Sequence, residues 1–332
     1  MKEIGLAIVG TGEIAQVYHL PILSEMDNVK LIALYDKNQS KARILAEKYD
    51  IPYVTSSLDE LLNIDFIDAV DICTSTDAHC DTAIASIESG KSVFIEKPIA
   101  RNALEAKKID DKAKQHNVDV MVGMNQRFRR DAIMLKNFIN HDELGDIYYI
   151  KAGWNQRSRG QSWIAKKDIS GGGVIIDLGL SIIDSLLWFS DFSEVSSVMA
   201  STYNHLTKTV EDIALATLRF ANGTVATMEV SWALFESNTD FYCNVLGNKG
   251  RAKINPIQLY KSDGYIYKPV SPAMMPNKVE MHKKSFEGVL KHFVNVVSGY
   301  STVISTADEA YKVMSIAEAM YESASQGKEI FL

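Results

Sequence analysis

The sequence predicts an α/β fold in two parts: a doubly wound parallel sheet over residues 1–122, and over 123–332 an open antiparallel β-sheet with helices. The first 122 residues alternate short, nearly continuous apolar runs with helical patterns. A glycine-rich turn, Gly10-Thr11-Gly12-Glu13-Ile14-Ala15, follows the first of those runs. Beyond Gly123 the periodicity changes to strict alternation, clearest where Ala226, Met228, Val230 and Trp232 interleave with Thr227, Glu229 and Ser231.

Ile4 to Val9 is apolar throughout, as a strand covered on both faces requires. Val29 to Tyr35, Ala69 to Cys73, Ser92 to Glu96 and Val118 to Val122 read the same way. Between the third and fourth of these, Cys80, Ala83, Ile84 and Ile87 recur at i, i+3, i+4, i+7, which lays an apolar stripe against a sheet. In the second half, Asn222-Gly223 separates Asp212–Phe220 from the alternating strand and predicts a hairpin. Further strands are expected at 146–154, 194–203, 240–246 and 251–260. Phe286, Val289, Leu290, Phe293, Val296 and Val297 mark one helix, and Ala310, Val313, Met314, Ala317, Met320, Tyr321 and Ala324 another. The stretch 261–283 reads as a long loop.

The chain has 332 residues, enough for two domains of ~100–200 residues each. Hydrophobic residues at 46% and charged residues at 23% are ordinary for a soluble protein. A net charge of −7, with no Lys/Arg block, argues against nucleic acid and anionic membrane as partners. Cys73, Cys80 and Cys243 form no Cys-x-x-Cys pair and read as core residues in a reducing compartment. Met1-Lys2-Glu3 leads straight into strand residues, so no signal peptide is expected, and no uninterrupted apolar run approaches the ~20 residues of a spanning helix. The expected location is the cytoplasm.

Gly10 suits the tight turn, Gly12 admits backbone N–H groups to a pyrophosphate at the helix N-terminus, and Ala15 lets helix and strand pack closely. Glu13 and Ile14 open that helix. Asp36 ends the second strand, at the offset expected of a carboxylate on the ribose hydroxyls, and its charge favours NAD over NADP. Lys37 beside it pulls the other way, and Asp36 also reads as a helix N-cap. Thr74, Ser75 and His79 follow the strand Ala69–Cys73 and are candidate cofactor-lining residues, His79 equally a surface helix residue. His19 reads either as facing the site or as structural.

Glu96-Lys97-Pro98 ends the strand Ser92-Val93-Phe94-Ile95, where open α/β sheets bind ligands. An ammonium there polarises a substrate oxygen beside the dinucleotide, and a cis Lys97–Pro98 bond is expected to provide the bend. Gly171-Gly172-Gly173 precedes an apolar segment in which Asp177, Ser181 and Asp184 share one helical face. A polar stripe on so apolar a segment is costly unless it lines a site or faces solvent. Asn125 and Arg127 follow the last parallel strand. Arg127 reads as a substrate contact or as a tie between domains. Trp154, Asn155, Arg157, Trp163 and Lys166, upstream of the glycine run, are candidate substrate-lining residues. No metal ligand set is evident.

Taken in order, Gly10-x-Gly12-x-x-Ala15, Asp36, Glu96-Lys97-Pro98, Asn125-x-Arg127-Phe128 and Gly-Gly-Gly-x-x-x-Asp177-x-Gly-x-x-x-x-Asp184 resemble the glucose–fructose oxidoreductase / inositol dehydrogenase / MocA (Gfo/Idh/MocA) family over essentially the whole chain. The resemblance implies a Rossmann domain and an open antiparallel sheet whose outer face forms homodimers or homotetramers. It implies NAD(P)-dependent oxidation of a secondary alcohol on a sugar, cyclitol or related polyol, with Lys97 and Asp177 as catalytic residues. The family places a histidine four residues after that aspartate, and this chain has Ser181. A serine hydroxyl does not exchange protons near neutral pH as imidazole does. Lys97, Tyr203, His205 or a water ordered by Asp177 are the candidate substitutes. The alternative to an enzyme is an NAD(H)-binding sensor or scaffold of the same fold.

Overall fold

Parallel strands need cover on both faces, and the apolar runs of the first half meet that need in the computed structural model, which describes residues 3–157, 163–233, 240–264, 266–271 and 277–332. Strands β1 (Ile4–Val9), β2 (Val29–Tyr35), β3 (Tyr53–Val54), β4 (Ala69–Ile72), β5 (Ser92–Ile95) and β6 (Val120–Val122) form one sheet in the order 3-2-1-4-5-6. Their pairings are parallel. The order reverses between β1 and β4, and ligands bind outside the carboxyl ends of strands at such a switch point. A π-helical turn, Ala15–His19, runs into α1 (Leu20–Ser24), followed by α2 (Gln39–Lys48), α3 (Leu58–Leu62), α4 (His79–Glu88) and α5 (Ala103–His116). Local capping fixes the ends of α5: Asn102 accepts the Glu105 N–H at 2.8 Å to start it, and Asn117 stops it in the left-handed region at φ 53°.

The chain packs as two units, one through Asn125 plus Lys283–Tyr311, the other Gln126–His282 plus Lys312–Leu332. This departs from a simple boundary at 122/123. Residues 283–311 join the first unit because their side chains complete its core. In α9 (Lys278–Val297), Phe293 lies 5.4 Å from the Phe94 ring and Phe286 stacks on Tyr18 at 4.1 Å. Farther on, Ser305 accepts the Val122 N–H at 2.8 Å, and Thr306 bridges to Met121.

The second unit is built on α6 (Arg130–Asn140), β7 (Ile147–Asn155), α7 (Lys167–Ser170), a π-helical turn (Ile175–Gly179) leading into α8 (Leu180–Phe189), and the strands β8 (Val195–Tyr203), β9 (Ile213–Phe220) and β10 (Val225–Ser231). Then come β11 (Asp240–Gly247), β12 (Gly250–Ile254), β13 (Gln258–Asp263), β14 (Ile266–Pro269), α10 (Ala307–Gln326, which begins in the first unit) and β15 (Ile330–Phe331). Its sheet runs 14-13-12-11-7-10-9-8-15. The expected hairpin is β9–β10, with Val225 opposite Arg219. The sheet is mixed rather than wholly antiparallel, since β10 runs parallel to β7. The chain travels through α8, β8 and β9 between them, the long return that parallel neighbours require.

Two sequence expectations are corrected. The strand over 251–260 is two strands, β12 and β13, paired antiparallel about a turn in which Asn255 takes a positive φ of 64°. The loop over 261–283 holds the end of β13, the paired strand β14 and the start of α9, while 272–276 lie outside the described residues. Lys167–Phe189 is long and apolar enough by composition to cross a membrane, yet its most apolar window is 89% buried, as in a core helix.

Candidate functional site

In the first unit the candidate residues gather at the carboxyl ends of the parallel strands. Gly10 ends β1 at φ +93°, and a Cβ there would meet Cys73 and Thr74 backbone atoms at 2.7 Å. Only glycine allows β1 to turn so close to the end of β4. At Gly12 the nearest atom to an added Cβ is the Cys73 carbonyl at 3.6 Å, so a side chain would occupy open space. Between them Thr11 is fully buried and donates its N–H and its hydroxyl to Asp36 Oδ2 at 2.7 and 2.8 Å. Asn38 donates its N–H to Asp36 Oδ1 at 2.7 Å. Asp36 therefore ties the glycine turn to the end of β2. Partial burial pushes its pKa up, but the N–H groups of Asn38 and Thr11 and the Thr11 hydroxyl outweigh that, and the net shift is downward. Glu13 is exposed and Ile14 half-buried at the mouth of the helix.

After β4, the hydroxyls of Thr74 and Thr76 are buried without a partner among the described residues. Ser75 is spent locally, donating to Asp77 Oδ1 at 2.5 Å. His79, a candidate cofactor contact, is buried between the turns that follow β4 and β5. The ring is 1% exposed and its nitrogens face the Pro98 carbonyl at 2.8 Å and the Thr74 carbonyl at 3.1 Å. It braces the turn after β4 against the turn after β5.

A dinucleotide fits these residues. The space left by the missing side chain of Gly12 suits a pyrophosphate, and the orphaned Thr74 and Thr76 hydroxyls await polar partners. The Asp36 carboxylate has lone pairs beyond the three bonds it accepts.

Glu96 and Lys97 end β5, Lys97 half-buried and its bond to Pro98 cis, as expected. Glu96 is 7% exposed. Its Oε2 accepts the Lys97 N–H at 3.1 Å, and its Oε1 lies 2.9 Å from Nε2 of the fully buried His19. His19 Nδ1 lies 2.7 Å from Asp71 Oδ2 and 3.3 Å from Cys73 Sγ. A Cβ on Gly123 would come within 3.0–3.2 Å of the Glu96 carboxylate, so the glycine leaves that group its room. Asn125, expected at the substrate, donates Nδ2 to Ser285 Oγ at 3.0 Å inside the first unit.

In the second unit Asp177 sits half-buried in the π-helical turn before α8, and Trp232 Nε1 donates to its Oδ2 at 3.0 Å. π-turns of this kind concentrate at functional sites. Ser181 follows one turn on and is 4% exposed. The third member of that stripe, Asp184, pairs with Arg127 in the interior of the second unit. Arg127 Nε and Nη2 reach Asp184 Oδ2 and Oδ1 at 2.9 and 2.5 Å, with both side chains nearly fully buried. Their forked geometry satisfies each other's charge inside the unit.

The triple glycine also has its reason here. Glu211 accepts N–H bonds from Gly173 at 3.0 and 3.1 Å and from Ile175 at 3.0 Å, and the Tyr321 hydroxyl at 2.7 Å. A Cβ on Gly172 would meet Tyr321 Oη at 2.0 Å, and one on Gly173 the Glu211 carbonyl at 2.0 Å. Glu211 thus holds the amino end of the turn that carries Asp177. Burial pushes its pKa up, partly offset by the Tyr321 hydroxyl and the N–H donors. Trp232, Glu211 and Tyr321 were missed in the sequence because their partners lie tens of residues away. The alternation that points Trp232 to the covered face was the one available signal.

Trp163 and Lys166 are exposed, at a short turn and at the N-cap of α7, just after residues 158–162, which lie outside the described set. Asn155 is 8% exposed, Arg157 is exposed, and Trp154 buries its Nε1 without a partner among the described residues while its ring meets Phe241 edge-on at 5.5 Å. Tyr203 and His205 stack with ring centroids 6.1 Å apart, both exposed.

Residues 4–124 match the model of an oxidoreductase family, NAD-binding Rossmann fold, and residues 136–332 match that family's C-terminal alpha/beta domain. D-glucoside 3-dehydrogenase of Escherichia coli (strain K12) is 26% identical over 346 residues, covering 98% of this chain and 97% of its own. Glucose-6-phosphate 3-dehydrogenase of Bacillus subtilis (strain 168) is 25% identical, covering 99% and 98%. Among solved structures, levoglucosan dehydrogenase in complex with NADH superposes with a TM-score of 0.88 at 22% identity, covering 99% of each chain, a likeness of fold.

Proposed function

The chain belongs to the Gfo/Idh/MocA oxidoreductase family, and from that premise we propose that it moves a hydride between NAD and a secondary alcohol or ketone of a sugar, cyclitol or related polyol. That it is an NAD-binding oxidoreductase follows from the family itself. The observation that carries the cofactor half is the Asp36 carboxylate bound to the Thr11 N–H and hydroxyl, which sets a negative group beside the glycine turn. It favours ribose hydroxyls and repels a 2′-phosphate. Gly10, Gly12 and Thr74 line the same edge of the sheet, together with Thr76. Bound there, the cofactor supplies a two-electron acceptor or donor.

The chain's own residues supply the rest. Lys97 presents an ammonium that stabilises a developing alkoxide, a contribution whose loss often costs ~2.7–4 kcal/mol. Asp177, held by the Trp232 indole, orients a substrate hydroxyl. Ser181 stands where the family has a histidine and supplies a hydrogen-bonding hydroxyl in place of an imidazole. Trp163 and Lys166 remain proposed substrate contacts.

We further propose a cytoplasmic homodimer or homotetramer that pairs through the broad sheet of the second unit. Exposed Met199 (41%) and Leu215 (43%) on that sheet support this, with Lys151, Thr227, Glu229 and Tyr242 lining the same depression. Incubating the protein with NAD and a panel of glucosides, hexose phosphates and inositols, and following absorbance of NADH, tests the reaction. Light scattering tests the assembly, and a monomer at working concentration would remove it.

A further inference from the structure

Asp71 is a carboxylate in the middle of a central parallel strand, 1% exposed, where an unpaired charge is costly. Its partner is His19, at the end of the π-helical turn that opens α1. On the other side of the ring stands Glu96. The remaining neighbours are the Cys73 thiol and the rings of Phe94, edge-on at 5.7 Å, and Phe286 at 6.4 Å, itself stacked on Tyr18. Among the described residues, the titratable groups facing the imidazole are two carboxylates and one thiol. Ligand-type atoms of His19, Asp71 and Cys73 lie within 4.8 Å of one another, but 2.7 Å from Nδ1 to Oδ2 is hydrogen-bond spacing. Burial drives the Cys73 thiol well up, so Cys73 stands beside the ring as a neutral thiol.

An ionised carboxylate only accepts hydrogen bonds, so two carboxylates on two ring nitrogens require both nitrogens to carry protons. We infer that His19 is a positioning residue for Lys97: an imidazolium clamped between Asp71 and Glu96 that fixes the carboxylate holding the Lys97 backbone N–H. The chain of contacts is continuous, from Asp71 to His19 at 2.7 Å, to Glu96 at 2.9 Å, to the Lys97 N–H at 3.1 Å. A Cβ on Gly123 would crowd the Glu96 carboxylate at 3.0–3.2 Å, so the glycine leaves room for the orientation in which those hydrogen bonds form. Burial alone would drive the ring neutral, and the Asp71 carboxylate, by its charge and its hydrogen bond, reverses that, leaving the pKa well above the ordinary 6.5. With a raised folded-state pKa, the contribution is complete below about pH 6.5 and is lost only as pH rises through the higher folded value.

The role assigned to Lys97 rests on the proposed oxidoreductase reaction, and the tests separate the two. Nitrogen-15 NMR of the imidazoles, with His19 assigned by its absence in His19→Gln, is expected to show both ring nitrogens still protonated at about pH 7, above the ordinary imidazole value. A neutral tautomer at about pH 7 overturns the imidazolium. Reductive methylation read by mass spectrometry, with no substrate present, reports on Lys97 directly. In His19→Gln its labelling rate should change at least roughly threefold while surface Lys112 is unaffected.

Asp71→Asn preserves shape and serves if His19→Gln does not fold. It should lower kcat roughly tenfold or more at alkaline pH, with NADH affinity within about twofold of wild type and a fall of kcat with rising pH that wild type lacks. Unchanged Lys97 labelling together with an unchanged pH profile overturns the positioning role. Should wild type transfer no hydride to any sugar, the reaction is wrong, while the NMR and labelling results still decide His19.

Discussion

Replacing Asp36 by alanine separates two jobs that one carboxylate performs. In the structure Oδ2 accepts both donors of the fully buried Thr11, and Oδ1 accepts the Asn38 N–H. Hydrogen bonds from cofactor hydroxyls to a charged carboxylate are worth ~1.5–3 kcal/mol, so at ~1.4 kcal/mol per decade NADH binding should weaken roughly tenfold to a hundredfold. The Thr11 N–H and hydroxyl, left buried without an acceptor, should cost a further ~1–3 kcal/mol of stability, seen in the melting temperature. Removing the negative charge also lifts the repulsion of a 2′-phosphate, so the preference for NADH over NADPH should shrink or invert. Because the folded pKa of Asp36 is lowered, its contribution is present above the ordinary carboxylate range and lost only as pH falls through the depressed value. NADH affinity should therefore be flat from about pH 5 to about pH 9 as far as this group is concerned. Titration calorimetry of both dinucleotides, with a melt of each variant, measures all of this. An alanine variant that binds NADH as tightly as wild type, or a wild type that prefers NADPH, refutes the reasoning.

Trp232→Phe keeps the ring and removes the donor to Asp177, and a lost bond to a charged acceptor of ~1.5–3 kcal/mol should lower kcat about tenfold or more with NADH affinity unchanged. Arg127→Met strands Asp184 in the interior, so the melt should reveal a loss of ~3–5 kcal/mol while the folded fraction keeps its KM; a wild-type melt with a raised KM would return Arg127 to the substrate. Lys97→Met should abolish turnover and leave NADH binding intact, as calorimetry and steady-state rates on the same sample would show. Ser181→His restores the family imidazole: a higher rate on some polyol marks a weakened family member, whereas a block shows a site rebuilt around serine for a different substrate.

The first unit was legible because its determinants are local. Continuous apolar runs gave β1, β2, β4 and β5, and the glycine turn with Asp36 gave the cofactor edge, since each lies within a few residues of the strand end it serves. Lys97 and Asp177 stood out at a strand end and on a helix face, and the resemblance to a known family gave them catalytic roles. Pairings between distant segments stayed hidden. Nothing near His19 announces Asp71, 52 residues on, or Glu96, 77 residues on. Asp184 reads as a site residue because a polar side chain on an apolar segment suggests a site, and Arg127 because it follows the last parallel strand, yet the two form a buried forked ion pair. The packing of 283–311 onto the first unit was likewise invisible, because an apolar helix face does not say which sheet it covers. Around Pro256 the chain turns where alternation promised a continuous strand, the residue type that breaks strands having been outweighed by the pattern on either side.

Deuterium transfer bears most directly on the central claim. The protein would be incubated with NADH deuterated at C4 and a panel of keto sugars and inosose-type ketones, and the products read by mass spectrometry. Incorporation of one deuterium at a carbinol carbon of a sugar or cyclitol, abolished in Lys97→Met, is the expected result. Tight NADH binding with no deuterium in any product across the panel would contradict the account.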